Sequence, residues 1–319
     1  MAEISFKLFD VKNDVTIPES VVSYEFTSEV SAACDGLRLC FILGGACPEI
    51  VKVQAYNGDK MVFNGFADKQ CVSLSENGKT VFIYARSSAA LLVDNEALPC
   101  QYHRPSAAQL WYNNAREFGF GCALPSLTCE NDYYVLKGTS CFGAINNFFS
   151  MLYPTGIYVD VDNVIRAYEI SSEVKTLDGC RVTKAGYVIN RSNPLSQIDY
   201  KITASEKYCY HLKSKSAENN GISRRRLINL SALPLWQREA AARQTLEKSL
   251  EEMYALELEI EGYADFALYD SVRVNLKGLC ENSVFLVYEL VRSKGRNGEK
   301  TVVKLRSQQD GGFINYVAQ

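Results

Sequence analysis

Apolar and polar side chains alternate at the start of the chain. Ile4, Phe6 and Leu8 fall on one face, and Glu3, Ser5 and Lys7 on the other. A period of two marks a strand with one buried face. Residues 51–56 repeat it with Val51, Val53 and Ala55, then reach Asn57-Gly58-Asp59, a hairpin signal because Asn and Gly tolerate the positive φ of tight turns. Residues 61–66 supply the return strand. Residues 71–74 and 80–85 bracket a second such turn at Glu76-Asn77-Gly78. Residues 1–98 therefore read as an antiparallel meander of short strands forming a first β domain, a barrel or a sandwich.

The period changes after residue 98. Pro105 opens a helical stretch with Ala107, Trp111, Ala115 and Phe118 on one stripe, ended by Gly119 and Gly121. Residues 133–136 read as a strand. A second helix begins at Thr139 and Ser140, good cap residues, with Ile145, Phe148, Phe149 and Leu152 at helical spacing. Residues 157–161 and 164–170 flank a hairpin at Asp162-Asn163. The block 99–165 is expected to be a small α/β domain with two helices.

Residues 166–319 return to strand patterns and read as a second β-rich domain carrying an inserted helix at about 234–254. Residues 213–226 read as an exposed loop. The helix opens at Leu233-Pro234 and carries Trp236, Ala240, Leu246, Leu250 and Met253 on its stripe. Leu256, Leu258 and Ile260 then alternate with Glu257, Glu259 and Glu261, so the helix runs directly into a strand. Residues 271–276, 284–291 and 301–305 complete the set. The fold class expected is α+β, predominantly antiparallel β. No repeat of 20–50 residues and no low-complexity tract is evident.

Composition narrows the function classes. Hydrophobic residues make up 47% and charged residues 22%, enough apolar content to bury a sizeable core. A net charge of −3 gives no reason to expect a clustered basic face, so no nucleic-acid recognition is expected. No apolar run approaches the ~18–20 residues that span a bilayer, and no basic segment leads into an apolar core near the start. The chain is therefore expected to be made in a cytoplasm and not to insert in a membrane. Eleven cysteines stand scattered with no C-x-x-C pair, which suggests reduced thiols in small apolar slots and no metal site.

Site chemistry is sparse. Gly119-Phe120-Gly121 lacks the third glycine of a dinucleotide loop and follows a helix, the wrong context. Residues 295–301 lack the P-loop spacing and lie between strands. His103 and His211 are the only histidines, and neither has a Gly-x-Ser-x-Gly elbow nearby. Glu117, Asp160 and Asp162 are formal candidates for a carboxylate pair, which is all that a glycosidase requires. Arg224-Arg225-Arg226 is the densest basic run and reads as a solvated or interface face. No catalytic, cofactor or metal residue is assigned.

The stretch 51–97 resembles the N-terminal barrel of the phage hub family that includes Mu-type baseplate hub proteins and late control protein D. The matching features are Asn57-Gly58, Phe63 with Gly65, Arg86-Ser87 and Leu92-Val93-Asp94. Residues 138–168 look like the family's Gly-x-Ser helix followed by a strand pair. Residues 271–306 are similar to its last barrel strands, with V-x-V, V-x-x-V, a polar glycine hairpin and a final Thr-Val strand. The resemblance covers most of the chain as a pattern of order and spacing.

That resemblance implies a homotrimer whose subunits each carry two barrel domains like the tail-tube fold. The ring would present six similar units to the tail tube or distal tail protein above and dock a separate trimeric spike below, with the tape measure protein as a further neighbour. It implies a structural role at the distal end of a virion or tail-like particle, and no enzyme. Phe313, Tyr316, Arg224 and Arg225 are the expected partner-interface residues. A tail-associated cell-wall hydrolase and a carbohydrate-binding β-barrel module are the competing classes.

Overall fold

The computed structural model describes residues 4–307 apart from 77, 154, 204–206, 232, 234 and 252. Phe313 and Tyr316, and the turn and cap positions Asn77 and Pro234, therefore lie outside the described residues, as does Glu3. Strand accounts for 49% and helix for 16%, which is the α+β, mainly antiparallel class that the patterning predicts.

Seven strands come first: β1 (Ile4–Asp10), β2 (Val15–Thr16), β3 (Ser20–Glu29), β4 (Gly36–Ile42), β5 (Ile50–Asn57), β6 (Lys60–Ser75) and β7 (Gly78–Ser87). The turn after β5 holds Gly58 at φ 59°, as the Asn-Gly signal requires. Alternating apolar residues bury Phe6, Leu8, Leu39, Phe41, Val53 and Ile83 in one core. Phe6, Tyr24, Phe26 and Phe63 form an aromatic cluster in it, with centroids 5.3 to 6.1 Å apart. Burial of each such ring stabilises the fold by about 1.5–3 kcal/mol. A Cβ on Gly65 would sit 2.1 Å from the Arg86 carbonyl oxygen, so only glycine allows β6 and β7 to approach this closely.

The middle segment contains α1 (Ala90–Asp94), β8 (Cys100–Tyr102), α2 (Ala107–Asn114), β9 (Gly121–Ala123), β10 (Tyr133–Val135), α3 (Cys141–Leu152), β11 (Ile157–Val159) and β12 (Val164–Ala167). Ser106 caps α2 by accepting from the Gln109 N–H at 3.2 Å, and Ser140 caps α3 by accepting from Gly143 at 3.0 Å. Ile145, Phe148 and Phe149 on α3 are fully buried in a separate core with Leu92, Leu110 and Ile165. The expected α2 stripe breaks after residue 114 into a short 3-10 turn, and Gly119 at φ 82° ends it.

Beyond residue 168 come β13 (Val174–Thr176), β14 (Val182–Ile189), β15 (Gln197–Lys201), β16 (Tyr210–Lys213), α4 (Lys215–Asn219), β17 (Arg225–Asn229), α5 (Leu235–Glu251), β18 (Tyr254–Glu261), β19 (Ser271–Leu276), β20 (Cys280–Gly295) and β21 (Gly298–Ser307). The stretch 213–226, expected to be loop, contains α4. Ser214 caps that helix, and Ala217 and Ile222 are buried against Met253. Strands β15, β16 and β17 form a small sheet of their own, covered by Ala242 and Leu246 of α5.

The main sheet has the order β14-β18-β21-β20-β3-β4-β7-β6-β5-β1-β2, with β19 on β20 and β13 on β19. It contains two copies of one pattern. In the first, β3-β4-β7-β6 leads to β5; in the second, β14-β18-β21-β20 leads to β19. The match extends to the register. Lys69 opposite Tyr84 and Ser75 opposite Gly78 correspond to Glu289 opposite Lys304 and Gly295 opposite Gly298. Bulges recur too: between Ala67 and Lys69 as between Val287 and Glu289, and between Val21 and Ser23 as between Val182 and Lys184. A bulge bends its strand, so the long β6 passes from β5 to β7 along its length and the long β20 passes from β19 to β21, with β3 on its other side. The expected barrels do not close among the described residues: each unit is an open sheet bent around its core, and the two are continuous through β3 and β20.

Candidate assembly edges

The two β units meet at one joint inside the chain. Strand β20 pairs antiparallel with β3, Lys294 opposite Tyr24, Arg292 opposite Phe26, Leu290 opposite Ser28 and Glu289 opposite Glu29. Side chains reinforce this seam. Tyr263 packs on the first unit's core, and the Arg292 guanidinium lies 4.8 Å from its ring centroid. Arg292 also donates to the carbonyls of Ala264 and Phe266. Lys304 holds Glu289 at 2.7 Å, which offsets the like charge of Glu29 opposite it and raises the Lys304 pKa.

The same pattern ends at two unfilled edges. Among the described residues, 69–75 of β6 find a strand partner in β7 alone, because β5 reaches β6 no further than residue 66. At the far end of the sheet, β14 pairs with β18 alone among the described residues. Large apolar side chains stand in solvent on both: Val72 is 50% and Leu74 84% exposed, and Tyr187, Val188 and Ile189 are 38%, 55% and 52% exposed. At the filled joint the counterpart of Tyr187 is Phe26, only 7% exposed. An edge of unpaired backbone groups with apolar side chains is a template for another strand.

Beside the filled joint lies a cavity of about 530 Å³, lined by Ser28, Asp35, Ser87, Tyr158, Tyr168 and Arg292 among others. Burial pushes the Asp35 carboxyl up, opposed by a hydrogen bond from Ser28 and the charge of Arg292. Tyr158, Tyr168 and Tyr269 stand in a row with ring centroids 4.6 and 4.9 Å apart, the first pair stacked and the second tilted, and burial raises Tyr168 well above the usual phenol value. Neither histidine lines this cavity.

The formal catalytic candidates have structural partners elsewhere. The Asp160 carboxylate accepts from the N–H groups of Asp162 and Val164 and pairs with Arg166 at 2.5 Å, while Glu117 is exposed on the turn after α2. His103 contacts Asp132 at 2.7 Å, and His211 contacts Asp199 at 2.6 Å. Arg224 donates to the carbonyls of Arg191, Ser192 and Pro194, bracing the loop after β14, and Arg225 lies 3.5 Å from Asp199. All eleven cysteines are free, but only Cys129 and Cys141 are buried. Cys71, Cys100, Cys122 and Cys209 are exposed, so the apolar-slot expectation holds at few of them. Among the described residues no group of three or more His, Cys, Asp or Glu side chains is placed to hold a metal, and no helix is long and apolar enough to cross a membrane.

No family model matches the sequence, and no curated protein matches it. Solved structures do. The tail protein from Neisseria meningitidis MC58 superposes with a TM-score of 0.77 at 13% identity, over 96% of both chains. The chain has the fold of a phage tail protein. The 43 kDa tail protein of prophage MuSo2 from Shewanella oneidensis gives 0.76 at 14% identity, over 96% of this chain and 97% of that one. The tail-protein fold extends to the E. coli c3393 protein, a component of the type VI secretion system with structural similarity to the T4 tail proteins gp27 and gp5. Its TM-score is 0.59 at 12% identity, over 94% of this chain and 76% of that chain.

Within the tail-protein fold, the residues that carry the hub resemblance have structural tasks. Asn57-Gly58 forms the β5–β6 turn, Phe63 fills the aromatic cluster, and Gly65 permits the close approach of β7. Arg86 forks between Asp68 at the β6 bulge, at 2.5 Å, and Asp94 at the end of α1, at 2.7 Å, tying the first unit to the middle block. That pairing lowers the Asp94 pKa.

Proposed function

We propose that the chain is the structural baseplate hub of a phage tail or tail-like particle, three copies closing a ring that joins the tail tube to a central spike. The observation that carries this reading is the doubled sheet unit. One chain supplies two similar units already joined edge to edge, so three chains supply six units around a ring, the arrangement suited to a six-fold tube on one side and a three-fold spike on the other. The fold shared with tail proteins along nearly the whole of both chains supports it.

In this reading the chain works by shape and contact, not catalysis, at the distal end of a particle whose parts are made in the host cytoplasm. The tube or distal tail protein, the spike and the tape measure protein are its neighbours. The units divide at about residues 98 and 165. The separate cores formed by residues between Ile4 and Ala85 and between Leu92 and Ala167 favour the first division. Arg225, exposed on the outer strand of the small sheet, is a candidate for partner contact, as are Phe313 and Tyr316; Arg224 serves its own loop.

The test is the solution mass of the purified chain by light scattering, alone and with the neighbouring spike protein. Three times the chain mass is expected. A chain that stays monomeric in both conditions would overturn the ring.

A further inference from the structure

We propose that residues 69–75 of β6 in one copy pair antiparallel with β14 of a second copy, in the register that β20 and β3 use within the chain. Val72 would lie opposite Tyr187, Leu74 opposite Ala185 and Cys71 opposite Val188. This rests on the ring reading and names the joint that closes the ring.

The register follows from the two units' equivalence. Strand β6 runs along β7 as β20 runs along β21, with the bulge at the same place and the same hairpin closure. Strand β14 runs along β18 as β3 runs along β4, again with a matching bulge. Lys69, Gln70, Cys71, Val72, Ser73 and Leu74 are thus the counterparts of the residues from Glu289 to Lys294. Ala185, Gly186, Tyr187, Val188, Ile189 and Asn190 are the counterparts of those from Tyr24 to Glu29. The internal joint pairs these two sets. Transferring its register sets exposed Val72 against exposed Tyr187 and exposed Cys71 against exposed Val188, with Ile189 opposite Gln70. Val72 and Tyr187 inherit the places of Arg292 and Phe26, and Leu74 comes to rest on Ala185, which already packs against the second unit's core.

Charge favours the same pairing. At the internal joint Glu289 faces Glu29 and needs Lys304. Across the two open edges Lys69, the one charged residue among the twelve, faces Asn190. No like charges meet. Neither edge carries the row of lysines or the proline that protects a strand meant to stay single. The joint is heterologous: each copy offers one β6 edge and one β14 edge, so pairing continues from copy to copy until a ring closes.

Two variants test it. Val72→Lys disables only the β6 edge, and Tyr187→Lys disables only the β14 edge; both positions are exposed in the single chain, and a thermal melt like that of the wild type checks folding. Each variant alone is expected to lose the wild-type oligomer. Mixed in equal amounts, they are expected to form one-to-one pairs of twice the chain mass and nothing larger, because each retains the edge the other lacks. If the wild type is oligomeric and either variant remains so, the joint is wrong while the ring stands. A mixture that stays monomeric has the same meaning. A wild type that never assembles, with or without the spike protein, removes the ring itself.

Register is read with Val188→Cys. Mild oxidation is expected to link it to Cys71 of a second copy, giving a 71–188 cross-linked peptide by mass spectrometry and covalent multimers that vanish in the Cys71→Ser, Val188→Cys double variant. Multimers linked only through other cysteines, or none from an oligomeric sample, would overturn the register.

Discussion

The joint between β20 and β3 and the open edges of β6 and β14 are built from equivalent strands, yet their side chains differ in kind. The filled joint has a buried aromatic, a guanidinium fixed by backbone carbonyls and an acid held by a lysine. The open edges carry bare Val, Leu, Ile and Tyr. Inside one chain the partner is always present, so polar groups can be matched individually. In the proposed ring, an edge that waits for a second molecule would keep groups that lose little in either state.

The largest expected difference lies between Phe26 and Tyr187, which hold equivalent places. Phe26→Ala removes a ring from the aromatic cluster and is expected to cost about 3–5 kcal/mol in denaturant unfolding. Tyr187→Ala in the monomeric Val72→Lys background is expected to cost less than about 1 kcal/mol. Equal costs would mean that β14 is already covered in the single chain, and the contrast would fail.

Gly65→Ala comes next. Its counterpart in the second unit is Phe285, so the two units differ most sharply here. A Cβ 2.1 Å from the Arg86 oxygen forces β6 away from β7, with an expected loss of about 1–3 kcal/mol and a lower melting temperature. An unchanged melt would show that β6 and β7 tolerate a wider spacing at this position.

The two smallest effects are pH effects of opposite sign. Arg86 depresses the folded pKa of Asp94, so its stabilisation is present above the unfolded carboxyl value of about 3.9 and fades as pH falls through the lower folded value. Asp94→Asn is expected to remove less than about 1 kcal/mol near neutral pH, since the pair is half in solvent, and almost nothing in strong acid. Burial raises Asp35, so the wild type gains stability as pH falls through that raised value; Asp35→Asn is expected to flatten this part of the stability curve. A steeper curve in Asp35→Asn would show that the carboxylate is stabilised beside Arg292.

Local signals made much of the fold legible. The Asn-Gly turn, the cap at Ser140, the buried face of α3 and the alternation through Leu256, Leu258 and Ile260 depend on neighbours in the chain, and each stands where the pattern predicts. Strands β3, β4 and β14 escaped notice because no strong turn flags them: β3 and β4 pair across the loop 30–35, and β14 finds β18 only beyond the small sheet and α5. On α5 the expected Leu246 and Met253 are buried and Leu250 packs beside them, but Gln237 and Ala242 are buried where Ala240 was expected, because Trp236 turns to the middle block and donates to the Asp132 carbonyl. The doubled unit left almost no trace in residue types. Gly65 answers to Phe285 and Val72 to Arg292, because what the units share is backbone hydrogen bonding, which constrains side chains weakly. The open edges were invisible for the same reason: Tyr187-Val188-Ile189 is the one signal, and an apolar run reads equally well as core.

The covalent tether between β7 and β13 would change how the proposed ring comes together. Two units bound by one chain meet at high effective concentration, so their joint forms as the protein folds, whatever the dilution. Only every second joint then incurs the loss of translational and rotational freedom that bringing separate molecules together requires, a cost of several kcal/mol per encounter. With half as many encounters to complete, closure can begin at protein concentrations where separate single-unit chains would still be diffusing apart, and an unfinished ring carries fewer seams at which to fall open.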